Sequence, residues 1–347
     1  MKVTMIIFLC GIFYLISSAA QEIGEGNQPQ LAVDAHGIIR LVYGYENKIF
    51  YAMSNDNGTS FTKPVVMAEV NEMHLGMGRG PQLTSSKDYS VTTAMDKKGN
   101  IHSFQLSHKT KKWSKMKNIN DVAGSAPEGL MSITADEANH FYAVWLDLRD
   151  DKNNKIAFSL LTNNGSWSKN TIVYKSPDKT VCECCKPSVA IRSEHVSLMF
   201  RNWINGSRDL YVITSLDGGK TFGTASKLGN GTWKLNGCPM DGGGVVIDKQ
   251  HLIHTVWQRE GVVYYNQPGQ SEIKIADGRG AGIFGNETPF MTWNEGAEIF
   301  GQPLVGDRIH IGEGKAVTVI QLKDDTKRLS LLAAWEKEGK IQFRKLD

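Results

Sequence analysis

The stretch Ser215-Leu216-Asp217-Gly218-Gly219-Lys220-Thr221-Phe222 decides the fold, because a second copy stands at Ser54-Asn55-Asp56-Asn57-Gly58-Thr59-Ser60-Phe61. Both copies follow the pattern Ser-x-Asp-x-Gly-x-Ser/Thr-Phe. The carboxylate can accept hydrogen bonds from turn amides, the glycine can adopt a positive φ, and the aromatic ring can pack the turn onto a sheet. Asn163-Asn164-Gly165-Ser166-Trp167 is a shortened copy, and Lys111-Lys112-Trp113 keeps only the aromatic end. The turn therefore marks a repeated unit.

Prolines mark the same repeat, since each one precedes a short apolar run. They stand at positions 29, 81, 127, 187, 239 and 289, which are 52, 46, 60, 52 and 50 residues apart. Short alternating strands joined by Gly, Asn and Asp turns indicate antiparallel hairpins. Four strands in a repeat of this length are typical of a propeller blade. The sequence predicts an all-β, six-bladed β-propeller whose sixth blade is the least regular.

The first 20 residues have the pattern of a secretory signal peptide. Lys2 precedes an apolar run over residues 5–16, and Ser18-Ala19-Ala20 supplies small residues before Gln21. The alternative is an uncleaved anchor. We expect a secreted or periplasmic protein whose propeller domain covers residues 21–347, with no membrane span once the signal is cleaved. The net charge of +3 argues against nucleic acid as a partner, and we expect a monomer.

The cysteines of the chain allow a disulfide, a metal site or a mixture of a bridge and free thiols. Loss of Cys10 leaves Cys182, Cys184, Cys185 and Cys238. A disulfide from Cys184 or Cys185 to Cys238 would join adjacent blades, because the two segments open neighbouring inner strands. In that case no cofactor is expected. Alternatively, the converging thiolates bind copper or zinc. A mixture, with one bridge beside a redox-active pair, is also consistent with the sequence.

The repeated turns resemble the Asp-box, or BNR, repeats of the sialidase superfamily, whose members are six-bladed propellers. A narrower resemblance, to exported bacterial sialidase-like proteins, rests on Cys182/Cys184/Cys185, Arg208-Asp209, Asp217, Trp233 and Gly237-Cys238-Pro239. Sialidases hold a substrate carboxylate with three arginines. They use an Asp as acid/base and a Tyr nucleophile that is activated by a Glu.

The resemblance implies candidate residues for each of these roles. The carboxylate holders would be Arg79, Arg149 and Arg201. The acid would be Asp147, Asp150 or Asp241, and the nucleophile pair would be Glu128 with Tyr264 or Tyr265. Residues just before the inner strands should surround one mouth of the channel, and these are Gln28, Arg79, Glu128, Lys186, Asp241 and Glu287.

The leading hypothesis is a protein that binds an extracellular anionic glycan or glycoconjugate at this mouth. Whether it also hydrolyses the glycan, as an exo-glycosidase would, is left open by the sequence. One alternative is a non-hydrolytic propeller whose cysteine cluster binds a soft metal or performs thiol chemistry. The other is an interaction scaffold.

Overall fold

The computed structural model describes residues 19–162, 165–322 and 329–346. The predicted signal peptide lies almost wholly outside the described residues, as do Asn163 and Asn164. The strands form seven antiparallel sheets of four strands each, arranged as a seven-bladed β-propeller. The all-β propeller prediction is confirmed, and the prediction of six blades is wrong. No helix in the described part of the chain has the length and apolar composition needed to cross a bilayer.

Each blade runs outward from the channel in chain order, except the last. Blade 1 contains β2–β5, and the blades that follow contain β6–β9, β10–β13, β14–β17, β18–β21 and β22–β25; blade 7 contains β26–β28 and β1. The strand bounds are β1 Gln21–Glu25, β2 Asn27–Val33, β3 Ile39–Tyr45, β4 Lys48–Ser54, β5 Val65–Glu69, β6 Gln82–Ser85, β7 Tyr89–Met95, β8 Ile101–Ser107, β9 Lys112–Lys115, β10 Met131–Ala135, β11 Phe141–Asp147, β12 Lys155–Leu161, β13 Thr171–Tyr174, β14 Ser188–Arg192, β15 His195–Ile204, β16 Ser207–Ser215, β17 Ser226–Lys227, β18 Gly244–Ile247, β19 Ile253–Arg259, β20 Val262–Asn266, β21 Ile273–Asp277, β22 Arg279–Phe284, β23 Phe290–Glu295, β24 Glu298–Pro303, β25 Ile309–Glu313, β26 Lys315–Gln321, β27 Leu331–Lys337 and β28 Lys340–Leu346.

The predicted number of blades was wrong because the inner strands of blades 6 and 7 are not directly preceded by a proline. Pro289 precedes β23, which is the second strand of blade 6, and not the inner strand. The inner strand β22 reads Arg-Gly-Ala-Gly-Ile-Phe, and two glycines give it a weak strand pattern. The inner strand of blade 7, β26, has no proline directly before it. The irregular end of the chain therefore supplies three strands of a seventh blade.

The ring closes by pairing the two ends of the chain. Strand β1 lies antiparallel to β28, with Gln21 opposite Phe343 and Glu25 opposite Lys340. The N-terminal segment thus supplies the outermost strand of blade 7, while β2 begins blade 1 two residues later. Because the same segment contributes to two blades, it joins the first blade to the last.

The predicted Asp turns form between the third and fourth strands of blades 1 and 4. The Asp56 carboxylate accepts hydrogen bonds from the amides of Thr59 and Ser60, at 3.1 and 3.0 Å. The hydroxyls of Ser60 and Ser54 also donate to it, and together these bonds lower the pKa of Asp56 to about 2. Asp217 is held in the same way by Thr221 and Ser215, which lower its pKa.

The aromatic residue of each turn packs onto the preceding blade. Phe61 of blade 1 lies 5.0 Å from Phe343 of blade 7, and Phe222 of blade 4 lies 5.1 Å from Phe158 of blade 3, measured between ring centroids. The degenerate turns do the same, since Trp113 contacts Tyr51 of blade 1 and the indole of Trp167 donates to Ser103 of blade 2. These aromatic residues therefore link neighbouring blades.

Replacement of this aromatic contact should destabilise the ring. Phe222→Ala removes an edge-on ring contact with Phe158 and part of a buried interface, so we expect a loss of about 2 kcal/mol in the free energy of unfolding. Leu216→Ala is a matched control from the same turn, because Leu216 is 75% exposed. Chemical denaturation measures both variants, and equal losses would contradict the proposed inter-blade role.

Candidate functional site at the channel mouth

All seven inner strands begin at the same end of the channel, where their leading segments surround a cavity of about 630 Å³. This cavity is called the mouth below. Its polar side chains include those of Gln28, Gln82, Lys186, Asp241, Asn294 and Lys315. Three of the predicted mouth residues, Gln28, Lys186 and Asp241, line it. Such a volume falls within the roughly 300–1,000 Å³ of small-molecule sites.

Lys186 is a half-buried cation of the mouth. Its ammonium donates a hydrogen bond of 2.6 Å to Oε1 of Gln82. No carboxylate of the described residues lies within ion-pair distance of it. Burial disfavours the charged form and lowers the pKa of Lys186 to about 8. Lys315 differs, because it is largely exposed and forms an ion pair of 3.1 Å with Glu336.

Asp241 lies in the mouth wall with only 7% of its surface exposed. Its carboxylate accepts hydrogen bonds of 3.0 Å from the amides of Gly243 and Gly280. Burial nevertheless raises its pKa. The next residue must be glycine, because a Cβ at Gly242 would lie 1.9 Å from the carbonyl oxygen of Lys186. This contact brings the segments that carry Lys186 and Asp241 against each other.

Arg201 is buried behind the wall. Only 1% of its surface is exposed, and its guanidinium donates to the carbonyl oxygens of Asp241, Arg208 and Gln258 at 2.7 to 3.0 Å. These bonds join the backbones of blades 4 and 5. The structure thus places Arg201 as a donor to backbone carbonyls, and it is not among the residues that line the mouth.

The other two predicted arginines also have partners in the protein. Arg149 pairs with Asp147 at 2.8 Å and with Asp121 at 3.0 Å. Arg79 donates a hydrogen bond of 2.6 Å to the carbonyl oxygen of Glu128. Arg79 is not among the residues that line the mouth, although the two residues before it, Met77 and Gly78, are.

The predicted nucleophile pair is not joined by any hydrogen bond between described residues. Glu128 accepts a long bond of 3.4 Å from the side-chain amide of Asn154. Tyr264 lies on the third strand of blade 5, where its ring is 4.3 Å from the guanidinium of Arg259. The hydroxyl of the alternative, Tyr265, bonds to His254 at 2.7 Å.

Glu287 lies at the opposite end of the channel. Its segment lines a second cavity there, and its carboxylate pairs with Arg192 at 3.1 Å. The reason is the position of Pro289, which opens a second strand that runs in the opposite direction to an inner strand. Placement of Glu287 at the mouth is therefore corrected. Of the two remaining acid candidates, Asp147 is paired with Arg149 and Asp150 is exposed.

The cysteines form one bridge and one pair of thiols. Cys184 and Cys238 are joined by a disulfide, with 6.1 Å between their Cα atoms. The bridge connects the segment before blade 4 to the segment before blade 5, as the sequence predicted. Cys182 and Cys185 are unbridged and buried. All three sulfurs of Cys182, Cys184 and Cys185 lie within 4.8 Å of one another, so a cluster exists, while metal binding stays a prediction.

Arg208 gives the two thiols different environments. Its guanidinium donates to Cys182 Sγ at 3.0 Å and pairs with Glu183 at 3.2 Å. A hydrogen bond from Cys185, together with the nearby charge of Arg208, lowers the pKa of Cys182 to about 7. Burial and the neighbouring Cys182 raise the pKa of Cys185. In the sequence Arg208 is only one residue of a motif, and its contact with the sulfur of Cys182 depends on the fold.

Comparison with known proteins shows the fold and no family. No family model matches the chain, and no curated protein matches it by sequence. The BP39L lectin from Burkholderia pseudomallei matches with a TM-score of 0.65 at 9% identity, over 93% of this chain and 96% of that one. Virginiamycin B lyase from Staphylococcus aureus matches with a TM-score of 0.53 at 13% identity, over 95% and 99%. An ulvan lyase of polysaccharide lyase family PL25 matches with a TM-score of 0.55 at 9% identity, over 93% and 94%. The class defined here is the propeller, with lectins and a polysaccharide lyase among its structural neighbours, and the sialidase resemblance stays a prediction.

Replacement of Arg201 tests whether its bonds to backbone carbonyls stabilise the fold. Arg201→Met should lower the free energy of unfolding by about 3 kcal/mol or more, because three buried carbonyl groups lose their donor. Arg79→Met, at a less buried position with one backbone partner, should lower it by about 1 kcal/mol. Urea denaturation checks both values. Full stability of the Arg201 variant would contradict the structural role and restore it as a candidate ligand holder.

Proposed function

We propose that the mouth binds an anionic glycan and that Lys186 holds its acidic group. The single observation that carries this proposal is a cation inside the channel whose polar partner is neutral. Export of the chain, predicted from residues 1–20, is part of the proposal, because extracellular acidic glycans would be the ligands.

The energetics of Lys186 support an anion as its missing partner. A buried ammonium is unfavourable unless it is paired, which is why its pKa falls. Its single hydrogen bond to Gln82 satisfies only one of three donors. A carboxylate or sulfate in the mouth would accept the others and stabilise the charged form. Asp241 is the acidic group of the mouth, and three backbone amides already stabilise its carboxylate.

The rest of the mouth suits a sugar. The amide side chains of Gln28 and Asn294 line the mouth and bring donors and acceptors there, which hydroxyl groups require. The glycines at 242–244 line the wall and add no side chains to the cavity. By name, BP39L is a lectin and the ulvan lyase was bound to a sulfated, uronate-containing disaccharide. At 9% identity these neighbours support only the suitability of the fold.

Removal of the Lys186 charge should weaken the binding of an acidic sugar. For N-acetylneuraminic acid methyl glycoside, or for glucuronate, Lys186→Gln should raise the Kd about tenfold or more, as expected for loss of a charge-assisted hydrogen bond. Lys315→Gln is the matched control, since Lys315 is already paired with Glu336. Isothermal titration calorimetry measures each Kd.

The same binding should depend on pH with a defined sign. Lys186 is protonated below its pKa of about 8, so affinity should be retained at pH 6 to 7 and decline above 8. Protonation of Asp241 at low pH would remove a repulsive charge and would not reduce affinity. The methyl ester of the sugar acid should bind weakly at every pH. Equal binding of acid and ester, or an unchanged Kd in the Lys186 variant, would refute the proposal.

Hydrolysis is a second candidate function, and Asp241 is the observation that favours it. A carboxyl group with a raised pKa beside a ligand cavity has the property that a general acid needs. If the protein is a sialidase-like hydrolase, it should release the fluorophore from a fluorogenic sialic acid glycoside, and Asp241→Asn should abolish turnover while leaving the Kd nearly unchanged. The absence of turnover in folded protein that binds the sugar would leave binding as the function.

A further inference from the structure

The cysteines adjoin the mouth but take no part in the proposed glycan binding. Cys182 Sγ lies 3.3 Å from Cys185 Sγ and 3.7 Å from Cys184 Sγ. One buried thiol, Cys182, therefore contacts both a disulfide sulfur and a second buried thiol. A thiolate that contacts a disulfide sulfur is the arrangement from which thiol–disulfide exchange begins.

The pair is asymmetric in the way that exchange requires. Cys182 receives a hydrogen bond from Arg208 at 3.0 Å. The Arg208 charge and a hydrogen bond from Cys185 both favour the thiolate of Cys182. Cys185 is buried, and burial together with the neighbouring Cys182 raises its pKa, which favours its thiol form. Cys182 and Cys185 are separated by two residues, which is the Cys-x-x-Cys spacing of dithiol redox pairs. Cys182 is therefore the nucleophile, and Cys185 is placed to react second.

The disulfide spans from the buried cluster to the surface. Cys184 has 8% of its surface exposed and lines the mouth. Cys238 is exposed, and it lies in the segment between blades 4 and 5. Exchange with Cys182 would thus release a sulfur that solvent and partner molecules can reach.

We propose that the four cysteines form a thiol–disulfide relay that transfers two electrons between the buried pair Cys182/Cys185 and the mouth pair Cys184/Cys238. In the first step the Cys182 thiolate bonds to Cys184 Sγ. The Cys184–Cys238 bond breaks, and Cys238 leaves as a thiolate that takes a proton from water.

In the second step Cys185 Sγ bonds to Cys182 Sγ. The Cys182–Cys184 bond breaks, and Cys184 leaves with the proton that Cys185 gives up. The products are a buried Cys182–Cys185 disulfide and a dithiol of Cys184 and Cys238. One disulfide and two thiols are present before and after, so no external oxidant or reductant is needed.

The product state defines the class of partner. An exposed Cys238 thiolate with Cys184 beside it can reduce an incoming disulfide of a small molecule or a flexible peptide. Cys238 would form the mixed disulfide and Cys184 would resolve it, which regenerates the Cys184–Cys238 bridge. The partner then leaves as two thiols, and the buried pair retains the oxidising equivalents.

Alkylation of the folded chain without reductant tests the relay. N-ethylmaleimide should label Cys238 irreversibly whenever the first step releases it, and peptide mass spectrometry identifies the labelled site. The labelling rate should rise between pH 6 and 8 as Cys182, whose pKa is about 7, loses its proton. Denatured protein should instead show label on Cys182 and Cys185 only, with the bridge intact.

Two variants of neighbouring buried thiols separate the steps. Cys182→Ser should leave Cys238 unlabelled, because the nucleophile is gone. Cys185→Ser should still allow labelling of Cys238 and should trap the Cys182–Cys184 disulfide, because the first step does not need Cys185. Arg208→Gln keeps every sulfur and should move the pH profile of labelling to higher pH. Circular dichroism and intact mass confirm that each variant is folded and bridged.

Three results would overturn the relay. The first is a folded, bridged wild-type chain in which Cys238 is never labelled. The second is equal labelling in Cys182→Ser, which would show that the bridge opens by another route. The third is a purified chain in which Cys184 and Cys238 are free and hold zinc or copper, which would establish the metal site instead.

Discussion

A blade of this propeller can bury its two faces only against the neighbouring blades, so the structure depends on a closed ring. Closure is made by β1, which pairs with β28 and continues directly into blade 1. The apolar clusters follow the same rule, since Leu31, Leu41 and Tyr43 of blade 1 pack with Ile341 and Phe343 of blade 7. Aromatic residues from the turns of the first four blades reinforce these contacts on the outside.

The mouth exists because the ring brings together segments that are distant in the chain. Lys186 reaches Gln82 across 104 residues, and the backbone of Gly242 lies against that of Lys186. Lys186 is half-buried and Asp241 is buried in the channel wall, and burial moves the pKa of Lys186 down and that of Asp241 up. A lysine that is costly to charge is a suitable receptor for an anion, because binding restores favourable pairing.

The positive charges behind the mouth serve different purposes. Arg201 holds three backbone carbonyls, while Arg208 directs its guanidinium to the sulfur of Cys182 and to Glu183. The disulfide and the two arginines lie in the same wall between blades 4 and 5. A change in the oxidation state of Cys238 would therefore act on the segment that carries Asp241, three residues further along. In this way thiol chemistry and ligand binding would share one structural element.

The sequence by itself determined the features whose hydrogen bonds are local. The turns around Asp56 and Asp217 are closed by residues two to four positions away, so their pattern predicts their structure. The cysteine spacing left two candidate disulfide partners for Cys238, which are Cys184 and Cys185. The blade number depended on β22, whose glycines weaken the strand signal although Ala281 and Ile283 are buried by neighbours. Arg149 pairs locally with Asp147, but the partners of Arg79 and Arg201 were decided only by the tertiary structure. The carbonyls that Arg201 binds at Asp241 and Gln258 are 40 and 57 residues away. Burial and pairing of a charge depend on such long-range contacts, and no local pattern encodes them.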